Sequence, residues 1–170
     1  MIRRLILLVG RLFFEPRYME NVAGQYIVRG IIGKLCTFLD WDLPWPAHPC
    51  CRIDNWKNVH FDVSSVRVFQ MSGSQFGASK DANITIGKNC YIARNVGIFT
   101  ANHLWHDLDK MTPGEDVVIG DNCWIGMNVV ILPGVILGPH TVVGAGAVVT
   151  KSFVDGNCVI GGNPARRLHG

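Results

Sequence analysis

Charge is scarce in this chain. Only 17% of its 170 residues are Asp, Glu, Lys or Arg, and the formal net charge is +3. With no basic run interleaved with aromatics, a nucleic-acid partner is not expected. Long apolar runs are missing as well. Arg3 and Arg4 precede Leu5-Ile-Leu-Leu-Val9, and Arg11 then interrupts the run. The stretch falls short of the roughly 20 residues a spanning helix needs. No small-residue cleavage site follows it, so a signal peptide is not expected either. No Cys-x-x-Cys pair is present for zinc or redox chemistry. Of the six cysteines, only Cys50 and Cys51 are adjacent. Cys90, Cys123 and Cys158 lie in apolar stretches, where a reduced thiol behaves as a small hydrophobe. A reducing, cytoplasmic compartment is therefore expected. What the chain has in quantity is apolar residues, at 48%, and 19 glycines. That composition suits one folded domain with a real core and argues against disorder.

Two regions differ in pattern. In residues 1–50, Ile2, Leu5, Ile6, Val9, Leu12 and Phe13 recur at helical spacing, with Arg4 and Arg11 two turns apart on one flank. Pro16 suits the end of that helix or the start of another. A second apolar stretch runs from Val22 to Leu39, and Pro44, Pro46 and Pro49 then end helical structure. Residues 50–80 read as short, irregular strands. From residue 84 an aliphatic residue recurs every six positions, at Ile86, Ile92 and Ile98, then at Ile119, Ile125, Ile131, Leu137, Val143 and Val149. Two positions before each stands a small or β-branched residue, such as Cys90, Cys123, Thr141 or Ala147. One position after most of them stands Gly or Ala.

A repeat of this kind indicates a solenoid. A period of six fits neither a helix nor a simple alternating strand. It fits a coil with three flat sides, each side one short strand and one corner. The aliphatic residue and the small residue two before it point inward. The Gly or Ala after it is expected at the corner. Successive coils then stack through parallel-sheet hydrogen bonds.

These residues resemble the hexapeptide-repeat acyltransferases, in particular the maltose, galactoside, xenobiotic and polysaccharide-cluster O-acetyltransferases. The matching segments begin with Ile84-Thr-Ile-Gly-Lys-Asn-Cys-Tyr-Ile-Ala-Arg-Asn-Val96 and Ala101-Asn-His103. Val118-Ile-Gly-Asp-Asn-Cys-Trp-Ile-Gly126 and Ile131-Leu-Pro-Gly-Val135 follow. Val143-Gly-Ala-Gly-Ala-Val-Val-Thr-Lys151 and Gly162-Asn-Pro-Ala165 complete them. The resemblance covers about half the chain, residues 84–168. It implies an all-β solenoid, a left-handed parallel β-helix over residues 51–168, beside the helical segment that the apolar spacing predicts over 1–50. It also implies acetyl-coenzyme A as donor, a sugar or glycan hydroxyl as acceptor, no metal and a homotrimer.

The repeat breaks between Ile98 and Ile119, a gap that six does not divide, so residues 101–116 must leave the prism as a protruding loop. Loops on a rigid scaffold are where function concentrates. Transfer to a hydroxyl needs a base, and His suits that task near neutral pH. The resemblance assigns the base to His103, with Asn102 beside it, and places Trp124 on the active-site wall. His106 is the rival base or an acceptor contact, and Trp105 is a candidate platform for a sugar ring. For the coenzyme the resemblance implies Gly126, Met127, Gly144 and Ala145 along the pantetheine arm, with Thr150, Lys151 and Arg166 at the phosphates. Met127 stands where some relatives carry Ser. Lys151 and Arg166 read equally as ordinary solvated charge. Ser72, Ser74, Gln75 and Asn83 are candidate acceptor contacts.

Two readings from other classes compete. A γ-type carbonic anhydrase would need three zinc-binding His from suitable coils. Here His103 and His106 share one loop, and His140 lies several coils away. A non-catalytic, membrane-docked scaffold of a glycan assembly complex would not need the Asn102-His103 pair. Serine acetyltransferases carry a larger helical N-terminal region than residues 1–50 allow. Residues 1–15 either cap the lower end of the solenoid, pack between subunits, or lie on an anionic membrane.

Overall fold

A strand of two or three residues and a turn together consume six residues, so three of them close a circuit of eighteen. The computed structural model describes residues 2–37 and 42–169, with side chains to Leu35 and from Asp42 onward. Residues 38–41, where the second apolar stretch is expected to end at Leu39, lie outside the described residues. Three parallel sheets are visited in rotation from residue 52 onward. The first side holds Val59–Phe61, Ile84–Ile86, Val117–Ile119 and Ile136–Leu137. The second holds Tyr91–Ile92, Trp124–Ile125, Thr141–Val143 and Cys158–Gly161, with Arg166–His169 closing it antiparallel. The third holds Arg52–Asp54, Gln75–Gly77, Gly97–Phe99, Val130–Ile131 and Val148–Val149.

The registers stack the aliphatic columns directly. Ile86 pairs with Ile119 and Ile119 with Leu137 on the first side. Ile92, Ile125, Val143 and Ile160 follow one another on the second. Phe76, Ile98, Ile131 and Val149 do so on the third. All are buried. The small inward residues are buried too, Cys90, Cys123, Thr141 and Cys158 forming one inner column on the second side. The Cys90, Cys123 and Cys158 thiols are free. A hydrogen bond from Cys123, acting against burial, draws Cys90 down to about 7, and the same bond raises Cys123. Both sulfurs lie inside the sheets, where no substrate reaches them.

The corner expectation needs correction. The sharp turn does not fall on the Gly or Ala after each aliphatic residue. It falls two positions further on, at Asn89, Asn95, Asn122, Asn128, Gly134, His140 and Gly146, all with positive φ. Asn tolerates that conformation better than most residues. The glycine after the aliphatic residue answers a different need, the close approach of the next circuit. A Cβ on Gly120 would stand 2.7 Å from the Pro139 nitrogen, and one on Gly126 2.7 Å from the Ala145 nitrogen. Gly120→Ala is therefore expected to lower stability by about 1–3 kcal/mol, whereas Asn128→Gly, at an exposed turn, should leave it unchanged or slightly raised. Urea unfolding of the two variants checks the contrast.

Residues 50–80 carry circuits that the six-residue pattern does not announce. A 3-10 helix, Val63–Gln70, replaces a strand on the second side. Its Ser65 hydroxyl accepts from the Cys90 amide at 2.8 Å and donates to the Gly87 carbonyl at 2.7 Å, so it satisfies the sheet edge. Three helices precede these circuits: α1 (Ile2–Gly10), α2 (Pro16–Met19, opened by Pro16) and α3 (Gly24–Thr37). The lower end of the core is closed by Phe14, Tyr18, Met19 and Trp45. The Tyr18 and Trp45 rings meet Phe61 and Phe69, which meet each other, with centroids 4.7–5.4 Å apart. The buried Lys34 ammonium donates to the carbonyls of Phe13 and Leu43, tying α3 to this cap. Helix α1 lays Ile6 and Leu7 against this end of the core and turns Leu5 and Leu8 outward.

Candidate active site

The loop excursion is an antiparallel hairpin, His103–Leu104 against Asp107–Met111. Its base is clasped from several directions. The Asn102 amide donates to the Thr112 hydroxyl, and the Thr112 amide donates back to the Asn102 carbonyl at 2.7 Å. The Glu115 amide donates to the Thr100 carbonyl at 2.8 Å. Asp81 accepts from the Gly114 amide at 3.0 Å and from the Ser79 hydroxyl at 2.7 Å. Those two bonds, the amide first, hold the Asp81 carboxyl below its usual range. Its anchoring contribution is complete above the unfolded value of about 3.9 and is lost only as pH falls through the lower folded value. The hairpin base therefore stays anchored through the neutral range.

This clasp fixes His103. Its Nδ1 lies 2.7 Å from the Leu108 carbonyl oxygen. A carbonyl only accepts, so Nδ1 carries the proton and the neutral ring presents the Nε2 lone pair. The ring borders an open groove of about 1050 Å³, cut between the lower strands of the third side and the hairpin. The groove wall mixes apolar residues such as Phe99 and Met111 with polar ones. The Arg52 guanidinium pairs with Asp54 at 2.8 Å, and the Gln75 amide donates to the same carboxylate at 3.4 Å. Lys80 and Asp81 complete the rim. Hydroxyl-bearing ligands suit such paired donors and acceptors beside an imidazole.

The structure brings some of the expected residues together and separates others. Asn102, His103 and Gln75 line the groove. Ser74 does not: it is buried, its hydroxyl bonded to the Ala93 carbonyl and the Val96 amide. Asn83 bonds Asp116 and His60, on the first side. Trp105, 89% exposed, stands edge-on to His106 beyond the groove, at the hairpin tip. Trp124 lies on the second side, beside Tyr91 and Val142, and does not line the groove in a single chain. Gly126, Met127, Gly144 and Ala145 share the corner between the second and third sides, stitched by a bond from the Gly146 amide to the Met127 carbonyl. Thr150 and Lys151 follow the top third-side strand, on the corner from which the hairpin leaves two strands lower. Lys151 lies over the Phe153 ring, and Arg166 donates to the Ala165 carbonyl. Arg52, Asp54, Lys80 and Asp81 were not read from the sequence, because residues 50–80 carry no visible register. Among the described residues, no group of three His, Cys, Asp or Glu could hold a metal ion.

Residues 116–151 match the family described as bacterial transferase hexapeptide, six repeats. A Schizosaccharomyces pombe protein carrying an acetyltransferase name is 43% identical over 165 residues, covering 88% of this chain and 72% of its own. The galactoside O-acetyltransferase of Escherichia coli is 44% identical over 91 residues, covering 51% of this chain and 43% of its own. The crystal structure of a hexapeptide-repeat acetyltransferase from Vibrio cholerae, complexed with acetyl-coenzyme A, superposes with a TM-score of 0.60 at 29% identity. It covers 71% of this chain and 64% of that one. The chain spans about half the length of most of the curated relatives it matches.

Proposed function

The chain belongs to the hexapeptide-repeat acyltransferases, and on that premise we propose that it moves an acetyl group from acetyl-coenzyme A onto a sugar or glycan hydroxyl. His103 is the general base. Its Leu108 hydrogen bond carries the reading, because in the neutral ring it keeps the proton on Nδ1 and turns Nε2, the accepting nitrogen, to the edge of the groove. The acceptor hydroxyl attacks the thioester carbonyl carbon as Nε2 takes its proton. The tetrahedral adduct then expels the coenzyme sulfur, and the imidazolium returns the proton to it. The Arg52–Asp54 pair, Gln75 and Lys80 supply donors and acceptors for an acceptor's hydroxyls. The galactoside activity named for the E. coli relative supports a sugar, and the acetyl-coenzyme A bound to the V. cholerae relative supports the donor. A role in polysaccharide biosynthesis and a reducing, cytoplasmic setting complete this reading. Release of free thiol from acetyl-coenzyme A across a panel of glycans tests it. Transfer is expected with hydroxyl acceptors, and a panel of hydroxyl sugars that all fail while an amine is acetylated would overturn it.

The parallel circuits wind as a left-handed β-helix in this reading, a handedness taken from the family. The coenzyme lies along the corners carrying Gly126, Met127, Gly144, Ala145, Thr150, Lys151 and Arg166. Three chains assemble about a cyclic axis, and Trp124 of one chain reaches the His103 groove of the next. Trp124 and Tyr91 form an outward aromatic pair, both more than half exposed, which suits a lateral interface. Light scattering is expected to return three chains per particle. A stable monomer with full activity would sink this assembly.

A further inference from the structure

Helices α1 and α3 pack against each other and leave one apolar surface uncovered. On α1 the outward residues are Ile2, Leu5, Leu8 and Val9, and Leu12 follows in the turn after it, with Ile2 74% and Leu12 81% exposed. The inward face of α1 is Ile6, Leu7 and Gly10, so the outward leucines make no contribution to the core. On α3, Val28, Ile32 and Leu35 are exposed beside them, and an all-apolar hollow of about 290 Å³ runs between the two helices. Neither helix contains an acidic residue. Arg4 and Arg11 flank the leucines; both are exposed and form no ion pair among the described residues.

We propose that this two-helix face docks in the plane of an anionic phospholipid bilayer, with the leucines in the acyl boundary and the arginines among the headgroup phosphates. Exposed leucines backed by cations are the signature of interfacial insertion, and guanidinium groups pair with phosphates bidentately. The nine-residue α1 reaches about 14 Å along its axis, less than half the hydrocarbon thickness of about 30 Å. It therefore lies along the surface and does not cross it, and no described helix is long and apolar enough to span. Charge argues against a second copy as the occupant. Self-pairing would bring Arg4 and Arg11 toward their own counterparts with no acidic side chain on either helix to meet them. A bilayer supplies both the apolar phase and the anions.

Flotation of the full chain with vesicles tests this. Binding is expected to vesicles containing phosphatidylglycerol, much less to phosphatidylcholine alone, and to weaken as salt rises. Arg4→Ala with Arg11→Ala should weaken binding roughly thirtyfold, from about fivefold per arginine near an anionic surface. Leu8→Glu with Leu12→Glu should abolish it. Both pairs are exposed, so thermal unfolding and turnover on a soluble acceptor should stay at the parent level. Failure to bind anionic vesicles overturns the proposal. So does Leu12→Glu splitting a particle that forms without vesicles, which would assign the face to a second copy.

Discussion

His103→Ala is expected to lower turnover by about 10²–10⁴-fold, the usual loss on removing a general base, while the fold and coenzyme affinity persist. The ring sits on a hairpin outside the three aliphatic columns, and its one protein hydrogen bond, to the Leu108 carbonyl, is exposed. Unfolding midpoints should therefore stay close to the parent value. The proton-accepting role matters only as the hydroxyl attacks, so the loss belongs in kcat more than in the coenzyme's dissociation constant. Steady-state kinetics beside calorimetric coenzyme titration separates the two. His106 stands beside Trp105 beyond the groove. His106→Ala and Trp105→Ala should cost far less, mainly as a raised acceptor KM. A His103 variant with normal turnover, paired with a dead His106 variant, would move the base to His106.

The second large effect concerns stability. Trp45→Ala is expected to lower it by about 3–5 kcal/mol, which for a domain of this size shifts the unfolding midpoint by roughly 6–20 °C. Trp45 is buried and meets Tyr18, Trp56, Phe61 and Phe69. Its indole nitrogen has no hydrogen-bond partner among the described residues, so truncation removes chiefly packing. Trp45→Phe should recover much of the loss for that reason. Circuits in a stack touch only their neighbours, so fraying should start at the damaged end. Hydrogen exchange in the Ala variant is expected to accelerate first around Gln75–Gly77 and last around Val148–Val149. Uniform acceleration would mean that the cap and the upper circuits unfold as one unit.

These two residues also mark how far the sequence could be read. The columns at Ile86 through Val149 were legible because every member meets the same demand, a buried aliphatic over another. The hairpin was legible because it breaks that period, and His103 followed from the resemblance. The turn column carries its own signal: Asn or Gly recurs three positions after the aliphatic residue at Asn89, Asn95, Asn122, Asn128, Gly134 and Gly146. The Gly after the aliphatic residue took its place in the reading, since a glycine required by a neighbouring backbone and one required by φ look identical in sequence. The lower circuits were illegible for another reason. Phe69, Phe76 and Trp45 fill that end with aromatics, and Ser65 on a 3-10 helix replaces a strand, so volume is conserved there while the period is not. Trp124 and His103 share a proposed site yet sit on different sides of one chain, a separation that follows from sheet topology.

The eighteen-residue circuit makes the stack a ruler. Each added strand on the third side raises the corner carrying Thr150 and Lys151 by one inter-strand spacing, about 4.8 Å, while the hairpin stays keyed to Ile98 two strands below. With the coenzyme placed as proposed, its phosphate end at Thr150 and Lys151, donor length is measured in whole turns of chain. Duplicating one circuit between Leu132 and Thr150 would leave the base and the groove untouched and move the phosphate end a fixed step away. A donor matched to the present spacing would then fit at one end only.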